Sequence, residues 1–215
     1  MYRIVGQKRI KDIFEASLRK NRLAHAYLFY GQPGIGKDCF ALSLAMGLNC
    51  SENEFWGCGA CMYCKNFLQF HNPFFTFIQP VPSRPSSMNQ DKYYEIIRDV
   101  TLERVNNPYQ EVEFPTTLTR LPQISIEEIR TIKKKVTLKI AEDKYRIFII
   151  SKIQHMSAAA CNSLLKILEE PPPRTIIFLT TSALGNVLPT IISRCQLIHF
   201  DPLTEEEIST TLAHE

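Results

Sequence analysis

The sequence has no apolar run approaching the roughly 18 residues that a membrane span needs. Its start, Met1-Tyr2-Arg3-Ile4, lacks the long apolar core and small-residue cleavage site of an export leader. No internal repeat is present, which argues against a solenoid. A strong charge surplus is missing too: 25 Lys and Arg face 22 Asp and Glu, and the resulting +3 implies neither a nucleic-acid nor a membrane partner by itself. Nor is the composition that of a disordered chain, with 45% hydrophobic and 22% charged residues over a length of 215. That length suffices for one substantial core or two small ones. A disulfide framework is equally absent. The seven cysteines are odd in number, and four of them crowd into residues 50–64, which suggests a metal site in a reducing compartment. Together these absences point to a cytoplasmic protein.

What is present is an alternation. Ile10, Ile13, Phe14, Ala16 and Leu18 predict an amphipathic helix over 7–20, and Ala26–Tyr30 reads as a buried strand. A glycine-rich turn, Gly31 to Lys37, leads into a second helix to about Asn49. Further strands are expected at 74–78, 146–150, 175–179 and 196–200, with helices at 157–170 and 189–193. Ser125 and Glu128 have capping-box spacing at the start of another helix, which ends in a basic run of Lys133, Lys134, Lys135 and Lys139. Strands alternating with helices predict an α/β fold: a parallel five-stranded sheet covered on both faces. Residues 80–122 break the pattern, because Pro80, Pro82, Pro85, Pro108, Pro115 and Pro122 surround one possible helix at 91–105. This stretch is expected to be an irregular insertion, partly ordered at best.

Gly31-Gln32-Pro33-Gly34-Ile35-Gly36-Lys37 fits the phosphate-cradling pattern G-x-x-x-x-G-K, between a strand and a helix. Gly31, Gly34 and Gly36 let backbone N–H groups turn toward phosphate oxygens, and Lys37 reaches the outer phosphates. The next position should carry a hydroxyl for Mg²⁺, but here it is Asp38. A carboxylate beside the phosphates adds repulsion on the order of 4 kcal/mol per charge pair at ~4 Å, so ATP is expected to bind weakly or not at all. After the strand at 146–150, where acidic residues hold the metal and orient water, the chain has Ser151-Lys152. Neither can act as a carboxylate base, and hydrolysis by this chain is not expected.

Cys50, Cys58, Cys61 and Cys64, with Gly57 and Gly59 between them, can close a tetrahedral four-thiolate site for structural zinc. Free core cysteines and an iron–sulfur cluster are the alternatives, and His71 is a competing ligand. Trp56 and Tyr63 beside the cysteines read either as an interface or as the module's own packing.

Val5-Gly6-Gln7, His25–Phe29, the phosphate loop, the cysteine cluster, Asn162–Pro172 and Ser193-Arg194-Cys195 occur in this order. Together they resemble the AAA+ clamp-loader subunits of bacterial DNA polymerase III, over most of residues 1–200 outside the insertion. Within that family, Asp38 and Ser151-Lys152 resemble delta-prime-type subunits more than ATP-hydrolysing gamma/tau-type motors, which remain the alternative. The resemblance implies a P-loop AAA+ base domain at 1–203, with a zinc module at about 50–73, and the start of a helical lid domain at 204–215. It also implies that Arg194, positioned by Ser193 and Cys195, acts in trans as an arginine finger. Thr181 would fall at the family's polar sensor position. Implied partners are gamma/tau and delta subunits, with the sliding clamp and primer–template DNA reached through the assembly and no membrane involved.

Overall fold

A computed structural model describes residue 2, residues 4–137 and residues 139–212. The elements follow in the order α1 (Lys8–Arg19), β1 (Ala26–Tyr30), α2 (Lys37–Leu48), α3 (Met62–Leu68), β2 (Phe75–Ile78), α4 (Gln90–Asn106), α5 (Ile126–Lys135), β3 (Arg146–Ile150), α6 (Ala158–Glu169), β4 (Thr175–Thr181), α7 (Pro189–Ile192), β5 (Gln196–His199) and α8 (Glu205–Leu212). The sheet has five strands in the order β2-β3-β4-β1-β5. Every pairing is parallel, as expected.

Alternation along each strand divides the core into two layers. Tyr27 and Phe29 of β1 meet Phe14, Phe40, Phe178 and Phe200 on one face. Ala26 and Leu28 meet Leu164, Ile167 and Leu179 on the other. The first layer is aromatic, with Phe14 and Tyr27 centroids 4.9 Å apart and Tyr27 stacked on Phe178 at 5.7 Å. The second is almost wholly aliphatic and buries α5 and α6 against β3 and β4.

Residues 80–122 are better ordered than their prolines suggest. They carry α4, at 17 residues the longest helix among the described residues. Pro85 and Pro108 flank it without entering it, so none of its backbone hydrogen bonds is lost to a proline. Asn89 caps its start by accepting from the Asp91 N–H at 2.8 Å, and Val100 and Val105 are buried. The capping box at Ser125 and Glu128 is formed.

The cysteine segment contains a helix that its spacing did not suggest, α3, capped by the Cys61 side chain. This module sits directly on α2. A Cβ at Gly47 would lie 1.9 Å from the Phe55 carbonyl oxygen, so any larger residue there would lift the module away. Trp56 packs edge-on against Phe40 at 5.2 Å, and the Tyr63 hydroxyl accepts from Asn49 Nδ2 at 2.8 Å. Both aromatic residues serve internal packing.

Candidate functional site

The phosphate loop lies at the carboxyl ends of β3 and β4, where a parallel sheet opens its crevice. A cavity of about 200 Å³ there is lined by Lys37, Asp38, Arg104, Tyr109, Lys152 and Thr180, among others. Gly31, Gly34 and Gly36 form the turn that enters α2. Gly36 has φ +90°, a conformation that favours glycine, and a Cβ there would crowd the Tyr109 hydroxyl at 3.0 Å. Lys37 Nζ bends back onto the loop, donating to the carbonyls of Gly31 at 3.0 Å and Gln32 at 2.6 Å. Burial lowers the Lys37 pKa from the usual lysine value.

Asp38 corrects the sequence reading. Its carboxylate is not a bare charge beside the loop but the hub of a buried network. Oδ2 accepts from Arg104 Nη2 at 2.8 Å and from the Ser151 hydroxyl at 2.6 Å. Oδ1 accepts from the Thr180 hydroxyl at 2.6 Å. Burial alone would raise the Asp38 pKa. The Arg104 charge and the hydrogen bonds from Ser151, Thr180 and Arg104 outweigh it and hold the carboxyl below its usual value. The repulsion expected from Asp38 is therefore largely cancelled from within, by an arginine of the 80–122 stretch.

Strand parity explains who reaches Asp38. Ile147 and Ile149 of β3 face the layer containing α2, so Ser151, two further on, points the same way. Ile176 and Phe178 of β4 also face that layer, and Thr180 follows them. Thr181, the expected sensor, also lines the cavity; its hydroxyl donates to Gln154 Oε1 at 2.8 Å and accepts from the Ala183 N–H at 3.1 Å. Lys152 adopts φ +54° and places Nζ 3.6 Å from Glu111 Oε1 at the cavity rim.

Cys50, Cys58, Cys61 and Cys64 bring their sulfurs within 4.8 Å of one another. Cys58 and Cys64 sulfurs are 3.9 Å apart. Tetrahedral Zn–S bonds of about 2.3 Å require neighbouring sulfurs about 3.8 Å apart, so the four are positioned to bind a metal ion. Backbone N–H groups of Ala60 and Cys61 point at Cys58 Sγ, at 3.4 and 3.2 Å. Burial tends to raise the Cys61 thiol, but hydrogen bonds from the Cys64 and Ser51 backbone prevail and bring it down to about 6, whereas burial pushes the neighbouring Cys64 thiol up. Thiolates are the form a metal takes. His71 is not part of this group of ligands.

Arg194 lies in the turn between α7 and β5. Its Nη2 donates to Glu169 Oε1 at 2.7 Å and its Nη1 to the Thr190 carbonyl at 2.8 Å. Ser193 adds a long contact to Nη1 at 3.5 Å. Cys195 sits against the aliphatic layer, where burial pushes its thiol up to about 12. In the basic run, Lys135 is taken up inside the protein, donating to Thr76 Oγ1 at 2.9 Å.

The roles of Arg104, Tyr109, Thr180 and Glu169 were not foreseen. Parity along β4 was a signal that could have selected Thr180. Nothing local pairs Arg104 with Asp38, 66 residues away in sequence.

A family model described as "DNA polymerase III, delta subunit" matches residues 6–204. The DNA polymerase III subunit delta' of Bacillus subtilis is 31% identical over 209 residues, covering 97% of this chain and 52% of the relative. The DNA polymerase III subunit tau/gamma of Haemophilus influenzae is 29% identical over 98% of this chain and 25% of its own length. The chain thus spans about half of one relative and a quarter of the other. Among solved structures, a variant of Thermotoga maritima RuvB aligns with a TM-score of 0.50 and 14% identity, over 98% of this chain and 50% of that one, a likeness of fold alone.

Proposed function

The chain belongs to the DNA polymerase III delta-subunit family, and from that premise we propose that it is a delta-prime-type clamp-loader subunit that does not hydrolyse ATP but completes a neighbour's ATP site. Its fold is the P-loop AAA+ fold, with a parallel five-stranded sheet. The observation that carries the proposal is the Asp38 network. Where a motor needs a hydroxyl free to bind Mg²⁺, this chain has a carboxylate held by Arg104, Ser151 and Thr180. Ser151-Lys152 offers no carboxylate to orient water. ATP would supply the loader's driving energy from a neighbouring site rather than from this one.

Arg194 is the residue that reaches outward in this reading. A guanidinium presents its donors in a planar fork that matches phosphoryl oxygens, and its charge suits the charge that develops on the γ-phosphate. Ser193 and the Thr190 carbonyl position it. The gamma/tau and delta subunits are the expected neighbours, with the sliding clamp and primer–template DNA engaged through the assembly in the cytoplasm. The four cysteines hold structural zinc, since all four positions are filled by protein and none is left for a water.

Titrating Mg²⁺-ATP into the full-length protein, then assaying hydrolysis, tests the central point. The expected outcome is negligible heat into the high-micromolar range and no turnover. The comparable identity to a tau/gamma subunit makes an active motor the second reading, and Mg²⁺-dependent turnover by the protein alone would establish it. Metal analysis is expected to return one zinc per chain, lost in Cys61→Ser; iron in its place would overturn the zinc assignment.

A further inference from the structure

Resting on the finger reading of Arg194, we propose that Glu169 is its positioning residue: the carboxylate at the end of α6 holds the guanidinium ready for phosphoryl oxygens of a nucleotide carried by an adjoining subunit. Glu169 is the last residue of α6, and Glu170 and then Pro171-Pro172-Pro173 follow it at once. The prolines cannot continue the helix, so the chain turns sharply just beyond it. The helix is anchored from within by Leu164, Ile167 and Leu168, all buried. Its end is therefore a fixed point.

The turn bearing Arg194 is fixed from the other side. Ile191 of α7 is buried in the same aliphatic layer as α6, and the Arg194 backbone N–H donates to the Ile191 carbonyl at 3.1 Å. Two acceptors from these two elements then take two different nitrogens of one guanidinium: Glu169 Oε1 takes Nη2 at 2.7 Å and the Thr190 carbonyl takes Nη1 at 2.8 Å. Holding two nitrogens fixes the plane of the group as well as its position. The Arg194 side chain nonetheless keeps 34% of its surface exposed, so it is held without being enclosed.

The physical gain is in ordering. An arginine side chain has many rotamers, and a freely moving finger would surrender that freedom each time it met a phosphate. A finger already held surrenders less, and its fork arrives in a set orientation. Adjacent Glu170 provides a control, since it makes no ion pair among the described residues.

The experiment compares Glu169→Ala, Glu169→Gln and Glu170→Ala in a loader reassembled from full-length subunits, with kcat and KM for ATP measured separately. Glu169→Ala is expected to lower kcat about 10-fold with KM for ATP unchanged, the cost of a misoriented catalytic group. Glu169→Gln keeps an acceptor oxygen in place and is expected to recover most of the rate; Glu170→Ala is expected to match the wild type. A higher kcat in Glu169→Ala would mean that the carboxylate competes with phosphate for Arg194, and would overturn the proposal. Equal rates for Glu169→Ala and Glu170→Ala would overturn it too. Arg194→Ala, run alongside, separates the two levels of inference. If it leaves turnover unchanged, the finger reading itself falls and the role of Glu169 with it. If it lowers turnover while Glu169→Ala does not, only the role of Glu169 is lost.

Discussion

Two arginine–carboxylate pairs of almost equal length sit in opposite surroundings in this molecule. Arg104 and Asp38 are 2.8 Å apart with side chains 16% and 15% exposed; Arg194 and Glu169 are 2.7 Å apart at 34% and 48%. The first pair is closed on itself. Asp38 also takes hydroxyls from Ser151 and Thr180, and Arg104 donates to Ser151 at 3.1 Å. Removing either partner would leave a charge that is mostly shielded from water without its counter-charge. The second pair is open: Glu169 and the Thr190 carbonyl each hold one nitrogen of Arg194, and the rest of the guanidinium stays within reach of solvent or a partner. Distance alone does not distinguish a structural arginine from a functional one; the surroundings do. In the proposed assembly one arginine of the chain is committed to the carboxylate in its own phosphate-loop site, while a different arginine remains available to a neighbour.

The comparison can be broken at several points. Arg194→Ala should have the largest effect, lowering turnover at the adjoining ATP site of the reassembled loader by about 10³-fold or more. It should change the unfolding free energy of this chain by less than about 1 kcal/mol, as for an exposed pair. Arg104→Ala should do the reverse. Loss of a buried partner is expected to cost about 3–5 kcal/mol of stability, read by denaturant titration, with little effect on the loader's turnover beyond what lost protein explains. Replacing both members, as in Asp38→Leu with Arg104→Met, should recover most of that loss, because no buried charge remains unpaired.

The smallest effect expected is on pH dependence. Asp38 has a folded-state pKa below its unfolded value of about 3.9, so its network stabilises the fold fully above that pH. That contribution is lost as pH falls through the lower folded value. Asp38→Asn should therefore flatten the acid limb of a stability–pH curve. An unchanged limb would mean that Asp38 does not hold its charge against Arg104.

Much of the architecture is legible in the sequence because its signals are short-range. The five strands are apolar runs bounded by turns, and each appears where its run lies. Helix α1 follows the spacing of Ile10, Phe14 and their neighbours, and the cysteine spacing alone brings four sulfurs together. α3 escaped because a seven-residue helix inside a metal-ligand pattern has too few apolar positions to show a period. α4 was underestimated because six prolines mark the stretch as irregular, while the helix fits between two of them. Thr180 was passed over because only strand parity, carried on from Ile176 and Phe178, puts it on the face of β4 that meets α2.

By itself, then, the sequence determined the order of the five strands and most of the helices between them, the phosphate loop, the cluster of thiols and the departures at Asp38 and Ser151-Lys152, because each depends on residues close together in the chain. Only the tertiary structure decided that Asp38 is neutralised, and by which residue. Arg104 reaches it because α4 docks through Val100 and Val105, and that docking depends on the shape of the whole crevice. The same holds for Glu169 and Arg194, brought together across 25 residues by the packing of α6 against α7. A buried charge announces in sequence that a counter-charge must exist; which helix supplies it is settled by packing.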